Sequence, residues 1–507
     1  MRAWRPASCG IRTASFTPRR PLSVTSTRPA AQKVHHVAEL LEKDEPADQV
    51  TVKGWVRSVR KQKRIAFAAL GDGSTVNSLQ AVLKPEDAAD LSYGTAVKLE
   101  GEWKASQGAK QRNELQASKV IIQGENDAES NPLQPKYQTP EYLRTIPHLR
   151  PRIPANAILL RLRSQVIATL THFFHEEGFV QTHTPIITSS DCEGAGEVFT
   201  VSSNDSKDSK SNLKSTGGAE FEHFFRSPKY LTVSAQLHLE ALAQAVEKVW
   251  TLSPTFRAEK SDTSRHLSEF YMVEAEQCFI DDMGSVMDLV ERMLRRIATD
   301  LEGSAIANEL LQTRPFAGQA DVEEDDLINA DELRMRWMGL TSTAWRRITY
   351  QEAVEELQSN GFNVSPTEGL SAEHERFLAG QSPERVPIFV TDYPREQKPF
   401  YMPPSTATTN TRGDSNTAAC FDLLVPDVCE LVGGSMREYR SKELLEAMET
   451  KGVAGKSLEW YQDLRKYGSV PHGGFGLGFD RLLCYLSGVS SIRDVVAFPR
   501  WYGRCDC

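Results

Sequence analysis

Between Val50 and Ala105 apolar and polar positions alternate in short runs. Val52-Lys53-Gly54-Trp55-Val56-Arg57 has the period of two of a half-buried strand, and Ile65–Leu70 reads as a second. Gly71-Asp72-Gly73-Ser74 supplies turn residues after it. Leu79–Leu83, Ala96–Trp103 and Leu115–Ile122 continue the series, with a helix-like break at Pro85–Leu91. Five such strands suit an all-β barrel of the OB type over residues 34–130.

The period then changes. Residues 131–156 are punctuated by prolines and read as a linker. Ile158–Glu177 repeats its apolar positions at helical spacing and ends at Gly178. Beyond it, strands and helices mix without βαβ alternation. An α+β domain with an antiparallel sheet over 157–507 is therefore expected. Two stretches look inserted, near 202–218 and 303–335. Ser202–Gly218 is rich in Ser, Lys, Asn and Asp, which reads as a loop; Ala320–Asp331 is acidic, which reads as a solvated helix or loop. No internal repeat is visible.

Composition narrows the class. Of 507 residues 40% are hydrophobic and 25% charged, the balance of a globular protein. No run approaches the roughly 20 apolar residues of a membrane helix. The most apolar helical stretch, near Ala157–Leu170, is interrupted by Arg161 and Arg163. The formal charge of −9 is unevenly spread: no acidic residue precedes Glu39, while Arg2, Arg5, Arg12, Arg19, Arg20, Arg28 and Lys33 lie before it. Arg- and Ser-rich and acid-free, residues 1–33 have the signature of a mitochondrial presequence, and a matrix location is expected. The remainder is more acidic still, so nucleic acid must be met by local basic patches. Eight cysteines show no CxxC pair. Cys505-Asp506-Cys507 offers two soft ligands, too few for a zinc site, and reduced free thiols are the simpler expectation.

Two segments carry candidate chemistry. Phe256-Arg257-Ala258-Glu259 leads to Arg265-His266-Leu267-Ser268-Glu269-Phe270, and some two hundred residues later comes Gly473-Gly474-Phe475-Gly476-Leu477-Gly478-Phe479-Asp480-Arg481. Each holds an arginine beside turn- or strand-forming residues, and two such arginines can clamp a triphosphate. The glycine spacing is wrong for a dinucleotide-binding turn. The pair resembles motifs 2 and 3 of the class II aminoacyl-tRNA synthetases. The likeness covers nearly all of the chain after about residue 30 and is greatest to the asparaginyl family of the aspartyl/asparaginyl/lysyl subclass.

That resemblance implies ATP, Mg2+, asparagine and tRNA(Asn) as ligands, and a homodimer through a motif 1 comprising the helix near Ile158–Glu177, Gly178-Phe179 and Thr184-Pro185-Ile186-Ile187. It implies Arg257 and Arg481 as the catalytic arginines. Glu259, Arg265, His266, Leu267, Phe270, Glu430 and Gly478 would border the ATP, with Phe270 stacked on adenine. Asp422 and Glu430 would hold Mg2+; without the family, two acids eight residues apart read as surface residues. Cys429 stands where the family usually has glycine, which puts a close backbone approach there in doubt. Amino-acid activation is attack by an already ionised carboxylate, so it needs alignment and charge neutralisation rather than a general base.

Selectivity between asparagine and aspartate turns on one amide against one charge. In Tyr230–Glu240 this chain has Leu239 where aspartyl enzymes place a lysine, and Glu274 where they place an aspartate. Glu274 would accept from the asparagine NH2 and Arg437 donate to its oxygen, while Glu193, Ser234 and Gln236 hold the rest of the amino acid. On the small domain Arg57, Arg60, Lys61, Lys63 and Arg64 form a basic strip. The resemblance assigns Arg57, Phe67 and Gln80 to the anticodon, although an aromatic alone reads as core. An aspartyl enzyme of relaxed specificity, an asparagine synthetase of the same catalytic fold and an inactive paralogue are the rival readings. The barrel speaks against the second and the two retained arginines against the third.

Overall fold

The computed structural model describes residues 33–43, 45–108, 111–189, 197–202, 224–313, 328–342, 344–365, 368–406, 416–453 and 455–507. Residues 1–32 of the expected presequence, nearly all of the Ser202–Gly218 stretch and most of Ala320–Asp331 lie outside the described residues.

The small domain forms a closed barrel. After β1 (Val34–His35) and α1 (Val37–Lys43) come β2 (Ala47–Lys61), β3 (Ala66–Gly71), β4 (Leu79–Leu83), β5 (Ala96–Ala105) and β6 (Asn113–Gly124). The order is β1-β2-β3-β4-β6-β5, and pairing of β2 with β5 closes the ring. Alternation sends Ala66, Ala68 and Leu70 of β3 inward, with Val52, Leu79, Val97, Leu99 and Trp103. Phe67 and Ala69 therefore face out. The expected helix-like break at Pro85–Leu91 is a run of turns instead, and it seats Ala88 and Leu91 in the barrel core.

The linker carries the short α2 (Pro140–Arg144), whose N-terminus is capped by Thr139. It leads to α3 (Pro154–Glu176), which buries Ile158, Leu162, Val166, Leu170 and Phe174. Short strands β7 (Val180–Gln181), β8 (Ile187–Thr188), β9 (Thr200–Val201) and β10 (Lys229–Leu231) precede α4 (Gln236–Val246) and the long hairpin β11 (Lys248–Phe256) and β12 (Glu269–Cys278). Three helices follow: α5 (Gly284–Glu302), α6 (Ala305–Gln312) and α7 (Ala330–Thr341). Then come β13 (Arg346–Thr349), α8 (Tyr350–Ser359), α9 (Ala372–Gly380), β14 (Ile388–Thr391), β15 (Cys420–Val425), β16 (Cys429–Met436), α10 (Ser441–Thr450), α11 (Glu459–Lys466), β17 (His472–Gly478), α12 (Phe479–Ser487) and α13 (Ile492–Val495).

The main sheet runs β13-β14-β15-β16-β17-β12-β11-β7. Its interior pairs are antiparallel as expected, but β13–β14 and β7–β11 at the two edges are parallel. The segment expected as an insertion near 303–335 is partly core: Leu310 of α6 and Leu333 of α7 join the same apolar cluster as α3 and α5, as do Trp337 and Leu340 just beyond it.

Candidate active site

The site lies on one face of β12, β17, β16 and β15, and the sheet register explains the glycine motif. Phe475 and Leu477 of β17 point into the core. Gly474, Gly476 and Gly478 alternate to the other face, opposite Glu276, Glu274 and Met272. One row across the sheet reads Asp422, Gly433, Gly476, Glu274. Two acids thus border a floor with no side chains. At Gly474 a Cβ would lie 2.2 Å from Ala275 O, so glycine is also required by packing.

Two adjoining cavities occupy this face. The smaller, about 120 Å³, is lined by Arg257, Glu259, Arg265, His266, Leu267, Phe270, Glu430, Gly478 and Arg481. Every residue expected around ATP is among them. Arg257 follows β11, and its guanidinium lies 5.7 Å from the Phe270 ring centre and 3.8 Å from Glu259. Arg481, on the first turn of α12, donates to Glu430 O (2.9 Å). Arg265 donates to Val428 O (2.9 Å). His266 bonds Thr263 Oγ1 (2.6 Å), and burial lowers its pKa despite Glu259 beside it.

The larger cavity, about 210 Å³, shares Arg257, Met272, Glu430 and Gly476 with the first and adds Ser234, Gln236, Leu239, Glu274, Asp422 and Arg437. Both oxygens of Glu274 accept from Ala235 N (3.0 and 2.9 Å), and Oε1 also accepts from the Ser234 hydroxyl. Gln236 opens α4 and donates its NH2 to Glu240 (3.0 Å), which leaves its carbonyl oxygen for another donor. Arg437 is 4% exposed; it donates to Glu276 through Nε and Nη2 (3.3 and 3.1 Å) and to Ser435 Oγ (2.6 Å). Glu193 lies outside the described residues.

Four acidic and basic groups not anticipated from the sequence complete the site. Glu276 sits two residues beyond Glu274 on the same strand face, so a period-two reading of β12 would have found it. Glu240 is fully buried and receives Arg465, Tyr461 and His472 besides Gln236. Burial alone would raise its pKa, but Arg465 and the other cations outweigh it and hold the carboxyl well down. Its place four residues after Gln236, one turn on, is a legible helix spacing. Lys398 donates to Asp422 Oδ2 (3.1 Å) against the ring of Tyr393, and Glu375 accepts from Glu430 N (3.2 Å). Burial and the Glu430 charge push the Glu375 carboxyl up to about 7. Neither residue has a local sequence signal. Cys429 takes φ 68°, so the backbone keeps the left-handed conformation that glycine would have favoured.

On the barrel, Phe67 and Gln80 share the outward face. The Arg60 guanidinium lies 5.0 Å from the Phe67 ring centre, and Gln80 donates to Glu114 (2.9 Å). Arg57 does not join them. It sits at a β-bulge between Val56 and Ser58 and donates to Arg152 O in the linker.

An OB barrel ahead of a mainly antiparallel sheet, with two distant motif arginines on one cleft, is the architecture of a class II aminoacyl-tRNA synthetase. Residues 140–502 match the family of class II tRNA synthetases (D, K and N), and residues 50–122 match the OB-fold nucleic acid binding domain. An asparaginyl-tRNA synthetase of Mus musculus is 41% identical over 490 residues, covering 95% of this chain and 96% of its own. A mitochondrial asparagine–tRNA ligase of Schizosaccharomyces pombe is 40% identical over 462 residues, covering 90% and 94%. The crystal structure of asparaginyl-tRNA synthetase from Pyrococcus horikoshii complexed with asparaginyl-adenylate has a TM-score of 0.77 at 29% identity, covering 93% of this chain and 99% of that one. The chain belongs to the asparaginyl-tRNA synthetases, in the D, K and N group of class II.

Proposed function

We infer that this protein activates asparagine with ATP and transfers it to the 3'-terminal adenosine of tRNA(Asn). The observation that carries the reading is the end of the larger cavity: Glu274 anchored on Ala235 N, Arg437 fixed by Glu276, and apolar Leu239 beside them. A carboxamide gives its NH2 to Glu274 and takes a bond from Arg437. A carboxylate gives Glu274 no N–H to accept and sets a second negative charge against it, while Arg437 is already shared with Glu276 and Lys398 with Asp422.

The α-carboxylate attacks the α-phosphorus; a C–O–P bond forms and the bond to pyrophosphate breaks. Arg257, which borders both cavities, meets the α-phosphate as charge develops. Phe270 supplies a face for adenine, Arg481 closes the nucleotide from α12, and Glu259, Arg265 and His266 border it. The free carbonyl oxygen of Gln236 accepts from the α-ammonium, with Ser234 and Glu193 in support. The residues also fit Mg2+: Asp422 Oδ1 and Glu430 Oε1 converge over the bare Cα of Gly433, where a Cβ would lie 3.5 and 3.4 Å from them. When bound, the ion takes hard oxygen ligands from protein and triphosphate and neutralises the latter. The adenylate then yields its acyl group to the tRNA ribose, with AMP leaving.

Phe67 and Gln80 present the anticodon face, and the exposed apolar run of Val180, Ile186 and Ile187 after α3 supports a homodimer. The acid-free first 38 residues favour the mitochondrial matrix. Among the described residues no helix is long and apolar enough to cross a membrane. Pyrophosphate exchange with each of the twenty amino acids tests the assignment. Asparagine should drive it; exchange driven by aspartate alone would replace the reading with the aspartyl one.

A further inference from the structure

Arg161 and Arg163, the two cations that interrupt the apolar stretch of α3, are not on the reaction path described above. Two residues apart on a helix, they leave it about 200° from one another. Arg161 pairs with Glu309 of α6 (2.5 Å) and donates to Ser74 O (3.0 Å) in the barrel. The other partner of Glu309 Oε2 is Val76 N (3.0 Å), and the Val76 side chain packs against the core of the large domain. The loop so gripped joins β3 to β4, the strands that bear Phe67 and Gln80. It is itself stiff: Asp72 accepts from Ser74 N and Val37 N (3.0 Å each), and Ser74 Oγ accepts from Ala38 N (3.0 Å). On the opposite side Arg163 pairs with Asp480 (2.5 Å), held between the rings of Tyr271 and Phe479 at 4.9 Å each. Asp480 also accepts from Tyr271 N (2.9 Å) and directly precedes Arg481.

We propose that Arg161, Glu309 and Val76 are positioning residues. They form the joint that registers the anticodon face against the nucleotide site, with α3 as the strut between them. This rests on the synthetase reading above. One helix fastens the loop between the two anticodon-face strands through Arg161 and the start of the helix bearing Arg481 through Arg163. Loosening the joint lets the barrel rotate on its linker, so a tRNA bound by its anticodon no longer delivers its 3' end in register. The adenylate site, complete within the large domain, is untouched.

The test compares Glu309→Ala, Glu309→Gln and Val76→Ala with the native full-length chain. Amino-acid-dependent pyrophosphate exchange should stay within about twofold in all three. Charging kcat/KM should fall about tenfold in Glu309→Ala, and the preference for the native over an anticodon-changed transcript should shrink about as much. Glu309→Gln, which keeps an acceptor for Val76 N, should recover part of the loss. Val76→Ala should move charging the same way with no change of charge. Unchanged charging and anticodon preference in both alanine variants would overturn the proposal. So would an equal fall in exchange and charging, which marks a pair that only stabilises α3. Which amino acid and tRNA the native chain selects is read separately, so failure of the asparagine assignment is distinguishable from failure of the joint.

Discussion

Replacing Glu274 with glutamine isolates the charge that separates asparagine from aspartate. The side chain is 3% exposed and accepts from Ala235 N on both oxygens and from the Ser234 hydroxyl, all neutral donors. A fold cost of about 1 kcal/mol is expected from weakening these charge-assisted bonds. Glutamine has one acceptor oxygen where the carboxylate has two. Once that oxygen serves Ala235 N, the NH2 group must face the substrate amide. Losing a hydrogen bond to a charged acceptor costs asparagine about 1.5–3 kcal/mol. Aspartate gains instead: two carboxylates 4–5 Å apart at an effective dielectric near 20 repel by about 3–4 kcal/mol, and Glu274→Gln removes that. The ratio of asparagine to aspartate kcat/KM in pyrophosphate exchange should contract by about three to five orders of magnitude. A Glu274→Gln enzyme with its asparagine rate intact and no aspartate activity would refute the argument and move discrimination to Leu239 and Arg437.

Arg257→Ala should lower exchange kcat by about 10²–10³-fold, the loss typical of one transition-state donor, with the melting midpoint unchanged because the side chain is about one-third exposed. Unaltered exchange would remove Arg257 from the phosphate. Phe67→Ala should leave exchange alone while weakening tRNA in charging assays by about 1–3 kcal/mol, the worth of one stacked base. Equal effects on both assays would make Phe67 a packing residue. Cys429→Gly relieves a left-handed non-glycine residue, worth about 1–3 kcal/mol, but gives up a buried side chain of similar value. Thermal unfolding should shift by no more than about 1 kcal/mol with activity retained, whereas a tenfold activity loss would give the sulfur a role at the neighbouring Glu430.

The barrel was legible because its strands are amphipathic: β3 alternates cleanly, so period two alone finds Phe67 on the outer face. The smaller cavity was legible because most of the residues expected around ATP cluster in two contiguous motifs; Glu430, on β16, is the one supplied from elsewhere. What failed to show was made by long-range register. Lys398 meets Asp422 only because the segment after β14 returns beneath β15, and nothing near position 398 announces it. Arg57 looked like a member of a basic strip, yet one extra residue at the bulge turns it toward the linker. The core positions of α7 stayed unread for the opposite reason: acidic residues dominate Ala320–Asp331, while Leu333, Trp337 and Leu340 that anchor the helix come just after.

The same register logic explains why glycine falls on alternate positions of the motif from Gly474 to Gly478. A ligand lying on a sheet needs bare backbone beneath it, but a strand of consecutive glycines would lose its core contacts and its order. β17 meets both demands by placing Phe475 and Leu477 in the core and Gly474, Gly476 and Gly478 on the cavity floor. Asp422 and Glu430 then stand at one end of that floor, and Glu274 and Glu276 at the other. Each acidic end carries its own cation, Lys398 on Asp422 and Arg437 on Glu276. An aspartate side chain added at the Glu274 end would set a second negative charge against Glu274 where Arg437 is already shared with Glu276, whereas a carboxamide adds none. Selectivity for the neutral amide thus follows from how cations are already committed within the fold, more than from the shape of the cavity.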